Sequence, residues 1–294
     1  MFSLESYRLV SAGGGVVRRH DRGVLAVSGA DRASWLQGLL TNDVASLNTG
    51  ESCYAAYLTP QGRMISDMHV FATGDRLLLD VPAPLAAGLR DKLDGLIFSE
   101  DAAVTNESER LLVWTVIGRD SFADVIGETL PAQHTGQPII DFDTFEVIRI
   151  ERGVPRFLVD MNEDTIPLEA CIEDRAISFS KGCYVGQEVI VRVATRGGGR
   201  VARKLVRWVA DPSAEIVPRP DAPIVSFDPS IQHPPLADDA PHRAGKDVGR
   251  VTSAAFSPGV NRVLGLGYVH RDHAQRGTEV TVVWKDARVK AVVQ

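Results

Sequence analysis

The sequence predicts an α+β protein with two α+β domains followed by a small all-β domain. Three observations carry this. Residues 1–141 mix strand-like and helix-like runs joined by hairpin signals instead of regular strand–helix–strand units. A proline-rich stretch, 211–247, interrupts the chain. Beyond it come only short, turn-bounded runs with strand character.

The elements follow in order. Ser28, with Asp31 three residues on, reads as a helix cap, and Trp35, Leu36, Leu39 and Leu40 supply that helix's apolar face. Residues 54–59 and 64–71 are strand-like and flank the turn Pro60-Gln61-Gly62, a hairpin signal. Gly74-Asp75 turns into a strand at 76–81. Pro84 opens a helix reaching about Phe98, with Leu85, Leu89, Leu93 and Leu96 at helical spacing. A strand is expected at 110–117, and Asp120 is positioned to cap a helix over 122–130. The run Val147-Ile148-Arg149-Ile150-Glu151 alternates apolar and charged residues and predicts a strand with one polar face. Residues 211–247 hold eight of the sixteen prolines and read as a linker or long surface loop without a core. Strands are expected at 247–255, 262–270, 278–284 and 288–293, forming a sandwich or barrel.

With 294 residues, 44% of them hydrophobic and 24% charged, the composition is that of a globular protein able to bury a sizeable core. A formal net charge of −6 argues against a general nucleic-acid binder or a membrane-surface protein. The first fifteen residues show no secretory pattern and no stretch approaches a membrane span. Cys53, Cys171 and Cys183 form no CxxC and leave one cysteine over, which fits a reducing cytoplasm better than a disulfide framework. Their spacing suggests no metal site, and His270 and His273 read as a polar turn.

The most informative segment is Lys181-Gly182-Cys183-Tyr184-Val185-Gly186-Gln187-Glu188, which precedes a helix-like run ending at Thr195. A cysteine at a helix N-terminus meets the positive end of the dipole, and an adjacent ammonium adds to the preference for thiolate. Gly182 and Gly186 permit close backbone approach or positive φ, and Gln187 and Glu188 put an amide and a carboxylate in the first turn. The alternative is a small hydrophobe at a tight turn. From Val189 to Arg207 there are six basic residues, Arg192, Arg196, Arg200, Arg203, Lys204 and Arg207, and no acidic one. With Gly197-Gly198-Gly199 among them they suit a local anion site, for a carboxylate-bearing ligand or RNA, or form a solvated face.

This octet, with Ile177-Ser178-Phe179-Ser180 before it and Val191-Arg192 after it, closely resembles the signature of the YgfZ-type folate-binding proteins. These belong to the superfamily of the glycine-cleavage T-protein, an aminomethyltransferase. Further blocks resemble the superfamily in order: residues 35–44 from Trp35 to Val44, 57–67 from Tyr57 to Asp67, 149–155 from Arg149 to Pro155, and 166–170 from Ile166 to Ala170. The resemblance implies two α+β domains around a central folate channel, with a barrel-like β-domain behind them. It implies a discontinuous first domain over 1–45 and 142–205, a second over 46–141, and the C-terminal domain over 206–294. It also implies tetrahydrofolate, or a derivative, as ligand. Arg149 would hold the anionic tail, with Glu151 beside it. Lys181, Gly182, Tyr184, Gly186, Gln187, Glu188 and Arg192 would form one wall, and Cys183 would be the reactive thiol. In T-proteins an Asp-Asp pair at about this place supplies the catalytic carboxylate; this chain carries Ser66-Asp67, so Asp67 stands for one member of that pair and the other is absent. No Thr-Gly-Glu-type segment lies between Gly118 and Asp141. The implied function is therefore an accessory protein for assembly or repair of iron–sulfur clusters, serving clients such as radical-SAM tRNA-modifying enzymes. Its partners would be those clients or the assembly machinery. The alternative is a folate-dependent one-carbon transferase using Asp67; a non-catalytic RNA-associated module is the third.

Overall fold

A computed structural model describes residues 2–196, 198–214, 216–227, 245–285 and 287–294. Two compact units emerge. The first comprises residues 1–145, 162–167 and 172–198; the second comprises 146–161, 168–171 and 199–294.

The first unit opens with α1 (Leu4–Gly13), capped by the Ser3 hydroxyl, which accepts from the Ser6 N–H. β1 (Gly15–Arg18), β2 (Arg22–Ser28), α2 (Arg32–Gln37), β3 (Ser52–Leu58), β4 (Met64–Ala72) and β5 (Leu77–Pro82) follow. A single 3-10 turn leads into α3 (Ala86–Asp94), and then come β6 (Ala103–Asn106), β7 (Leu112–Ile117) and β8 (Phe122–Gly127). β3–β4–β5–β2–β6 form one antiparallel sheet and β1–β7–β8 another. Strand alternation gives the larger sheet two unlike faces. Leu25, Val27, Met68, Val70 and Leu79 point to a core shared with Trp35, Leu36, Leu40, Leu89 and Leu93. Arg22, Tyr54, Asp67, His69 and Asp80 share the opposite face.

The second unit is built on a closed barrel of β9 (Arg203–Ala210), β10 (Pro223–Ser226), β11 (Asp247–Ser257), β12 (Arg262–His270), β13 (Glu279–Trp284) and β14 (Ala287–Val293). Trp208, Ile224, Val251, Val280 and Val282 fill its interior. The four expected C-terminal strands are all present, and the choice between sandwich and barrel falls to the barrel because β9 and β10 complete the ring. Proline-rich 211–247 was expected to lack a core, yet β10 lies within it: Ile224 and Val225 are β-branched and buried, and Pro223 sits at the strand's first position, where a missing N–H is tolerated. Residues 228–244 of that stretch lie outside the described residues.

Several expectations need correction. The helix expected over 122–130 is strand β8. Gly118 and Ser121 close a tight hairpin through an N–H···O bond of 3.0 Å, and Val125 and Ile126 favour the extended partner of β7. The strand expected at 147–151 is the C-terminal half of α4 (Phe142–Glu151), which Asp141 starts by accepting the Thr144 N–H at 2.9 Å. Phe145, Val147, Ile148, Arg149 and Ile150 are all buried, so the helix has no polar stripe from which a 3.6-residue period could be read. Ser28 ends β2, and Asp31 occupies the N-cap position of α2. The helix after Pro84 ends at Gly95 instead of Phe98. Finally, the domain boundary expected at residue 45 would cut the larger sheet, because β2 pairs with both β5 and β6. Among the described residues no helix is long and apolar enough to cross a membrane.

Candidate functional site

The octet loop is braced at both ends. Its lysine reaches across to the end of α2, where the Lys181 ammonium donates to the carbonyls of Gln37 (2.6 Å), Leu40 (2.6 Å) and Asn42 (2.9 Å). Three donors thus meet three acceptors. Burial pulls Lys181 down to about 8, against the opposing pull of Asp43 and Cys53. At the other end Gly186 takes φ +84°, the left-handed region, as the N-cap of α6 (Gln187–Val191). A Cβ there would stand 2.6 Å from the Thr59 carbonyl oxygen, and one on Gly62 (φ +75°) would stand 3.0 Å from Val189. Each glycine lets the β3–β4 turn lie directly on the start of α6. The hairpin and the octet, remote in sequence, are therefore one packing unit.

Between these anchors the thiol of Cys183 is exposed. It lies three residues before the N-cap of a five-residue helix, not in the first turn, so the expected dipole effect does not apply. The neighbouring ammonium is committed to carbonyls, and its thiol neighbour is Cys53, whose thiol burial pushes up to about 11 despite Lys181. Tyr184 packs its ring 5.3 Å from the Lys181 nitrogen, and burial raises its phenol to about 12. Gly182 has open space at its Cβ position, so no steric demand explains it. Gln187 and Glu188 begin α6 and Arg192 ends it with an exposed side chain. Arg192 and Arg200 have no charged partner among the described residues, whereas Arg203 pairs with Glu169 at 3.3 Å. The side chain of Arg196 and residue Gly197 lie outside the described residues.

Arg149 takes a different part from the one expected. It is 1% exposed. Its Nε donates to Glu146 (2.9 Å), its Nη1 to Asp160 (2.7 Å) and the Val154 carbonyl (3.2 Å), and its Nη2 to Glu146 (2.8 Å) and Ser253 (2.9 Å). These are all five guanidinium donors, so none faces an anionic tail. Burial works to lower its pKa, but Glu146 and Asp160 hold it above the ordinary value. Glu151, two residues on, lends its carbonyl to Arg207. Arg149 belongs to the second unit's own interior, and Glu151 is half-buried.

Asp67 lies on the charged face of the larger sheet. Its Oδ1 accepts from Arg22 Nη1 at 2.8 Å and its Oδ2 from the Tyr54 hydroxyl at 2.9 Å. Arg22 also binds Asp80, and burial notwithstanding, Asp67 and Asp80 hold its guanidinium well above the usual range. Next along, His69 Nδ1 lies 2.8 Å from Asp124 and 3.7 Å from Asp80. Burial favours neutral imidazole, but Asp124 and Asp80 prevail and raise His69 to about 9; Asp124 is correspondingly driven low. Sequence reasoning named only Asp67 of this row. A usable signal was Asp80, a lone carboxylate in the otherwise apolar Leu77-Leu78-Leu79-Asp80-Val81-Pro82, every residue of which is buried.

The arrangement therefore separates two chemistries: an exposed thiol on an anchored loop, able to attack a disulfide or ligate a soft ion, and a carboxylate row whose members are held in ion pairs.

Comparison with known proteins agrees with the fold. Residues 203–294 match the glycine cleavage T-protein C-terminal barrel domain. The chain is 28% identical over 221 residues to an iron-sulfur cluster assembly factor IBA57 homolog, mitochondrial, from Pyricularia oryzae, covering 63% of this chain and 54% of that protein, about half its length. It is 25% identical over 231 residues to the tRNA-modifying protein YgfZ of Yersinia enterocolitica, covering 65% of this chain and 69% of that protein. Its fold matches the crystal structure of the glycine cleavage system aminomethyltransferase T from Bartonella henselae with a TM-score of 0.78, at 17% identity, over 99% of this chain and 88% of that one.

Proposed function

We propose that this chain, which is similar to YgfZ-type proteins and carries the glycine cleavage T-protein C-terminal barrel domain, is a tetrahydrofolate-binding accessory protein of the cytoplasm. In this reading it supports assembly or repair of iron–sulfur clusters in client enzymes, including those that modify tRNA. The observation that carries it is the contrast between Cys183, exposed on a loop clamped by Lys181 and Gly186, and Asp67, 4% exposed with an oxygen given to Arg22 and another to Tyr54. A group that must take up and release a proton at a substrate needs access and an open lone pair. Both carboxylate oxygens of Asp67 are engaged by neighbouring side chains, which weighs against aminomethyl transfer with Asp67 as base. Support for the cluster role comes from the relatives named for iron–sulfur assembly and tRNA modification.

The fit to folate is divided. Arg149 does not fit the anionic tail, because its donors are spent internally. The exposed Arg192 at the end of α6 is the cation of the octet region left for that task. No reaction step is assigned to the folate. Two measurements test the proposal. Calorimetric titration of the reduced protein with tetrahydrofolate is expected to show saturable binding that Arg192→Ala weakens and Cys183→Ser spares; absence of binding removes folate from the reading. In cells lacking the protein, Cys183→Ser is expected to fold normally yet fail to restore the activity of cluster-dependent enzymes. Full restoration would sink the thiol's role.

A further inference from the structure

The row Asp67–Arg22–Asp80–His69–Asp124 holds more negative charge than its protein partners balance. Arg19 lies within electrostatic reach of Asp124 but is itself paired with Asp21 at 2.8 Å, so Arg22, ion-paired with Asp67 and Asp80, is the one guanidinium not already matched by a carboxylate of its own. Three carboxylates against one guanidinium leave a formal −1 with His69 as an imidazolium, and −2 with a neutral imidazole free to act as a ligand. The side chains of these carboxylates are 6%, 1% and 7% exposed, where unbalanced charge is costly.

The donor geometry matches that charge. His69 on β4, Asp80 on β5 and Asp124 on β8 each turn one ligand atom inward, and these atoms lie within 4.8 Å of one another. Asp80 Oδ2 is buried without a hydrogen-bond partner among the described residues, and it points toward His69 Nδ1 at 3.7 Å. Each carboxylate has its other oxygen held from outside the cluster, Asp80 by Arg22 and Asp124 by the Thr115 hydroxyl. That is the outer support that orients metal ligands. First-row divalent ions bind imidazole nitrogen and carboxylate oxygen at about 2.0–2.2 Å, so atoms sharing one ion stand no farther than about 4.4 Å apart. The 2.8 and 3.7 Å spacings already meet this, and the cluster's widest spacing needs to close by no more than about 0.4 Å for such a bond length. His69, 31% exposed, leaves an approach from solvent.

We propose that His69, Asp80 and Asp124 form a binding site for a single divalent first-row transition ion, held by one imidazole nitrogen and two carboxylate oxygens. Such a nitrogen–oxygen set takes Mn(II), Fe(II) or Zn(II), and the ion cancels the formal −2 that the protein leaves. The site is independent of Cys183 and of the folate reading.

The test uses the full-length, chelator-treated protein and Mn(II), a hard ion that avoids the three thiols. Titration followed by electron paramagnetic resonance is expected to show one saturable ion per chain, with electron spin echo modulation revealing a coupled imidazole nitrogen. His69→Gln is expected to weaken binding by at least about tenfold and abolish the nitrogen signal. Absence of saturable binding, absence of nitrogen coupling, or undiminished affinity in His69→Gln overturns the site, leaving an imidazolium clamped between two carboxylates. If the variant does not fold, the wild-type nitrogen coupling decides alone.

Discussion

The octet loop and the charged face of the larger sheet handle reactive groups in opposite ways. In the loop the reactive side chain is left in solvent and its neighbours are immobilised: Lys181 by three carbonyls, Gly186 by its positive φ against the β3–β4 turn. On the sheet the reactive groups themselves are immobilised, with Asp67 held by Arg22 and Tyr54, and His69 by Asp124. Bracing of the first kind presents a thiol to a large partner while preserving its freedom to react. Bracing of the second kind fixes charge in place and suits holding an ion better than moving a proton. The Arg149 cluster of the second unit extends the second pattern, with Arg149 and Asp160 buried and Glu146 at its partly exposed edge.

The sharpest way to break this contrast is Arg149→Ala. It takes the guanidinium from Asp160, whose wholly buried side chain is left with the neutral donors of the Arg156 N–H, Thr252 and Ser253, and the expected loss is about 3–5 kcal/mol by urea unfolding. A stable variant with weakened folate binding would instead return Arg149 to the ligand. Gly186→Ala comes next. Strain at φ +84° and a clash with the Thr59 carbonyl are expected to cost about 2–3 kcal/mol and to loosen the loop, read as faster proteolysis within 181–188. Lys181→Met takes the ammonium from three carbonyls, of which that of Asn42 keeps the Val44 N–H, for an expected loss of about 1–3 kcal/mol, with unchanged cleavage at 181–188 arguing that the lysine does not hold the loop.

Alkylation sharpens the comparison without altering stability. At pH 8 iodoacetamide is expected to label exposed Cys183 and to spare Cys53. With the Cys53 thiol raised to about 11, its thiolate fraction grows only as pH climbs toward that value, so its labelling rate should rise through the alkaline range. Equal labelling of both at pH 8 would mean that burial does not protect Cys53. The smallest effect is that of Cys183→Ser on stability, expected within about 0.5 kcal/mol because the side chain is exposed.

Where the sequence read correctly, a local pattern sufficed. The β3–β4 hairpin followed from two strand-like runs around Pro60-Gln61-Gly62, and the four C-terminal strands from alternation and turn residues. It failed where burial erased the pattern, as in α4, or where a partner strand outweighed a capping residue, as in β8. In the candidate site the octet was legible because its composition is unusual. Tyr54, His69 and Asp124 were not, since single polar residues on three strands carry no shared spacing.

By itself the sequence determined the α+β order, the β-domain at the C-terminus, the octet with its cysteine, and the absence of the second carboxylate beside Asp67. Tertiary structure alone decided what each charge is for. Lys181 donates to carbonyls more than 135 residues away, Arg149 to a serine 104 residues away, and His69 faces Asp124 from another sheet. Periodicity is a property of neighbouring residues and survives in the sequence. The partner of a buried charge is chosen by the packing of distant segments, where desolvation makes pairing obligatory, and that choice leaves no local trace.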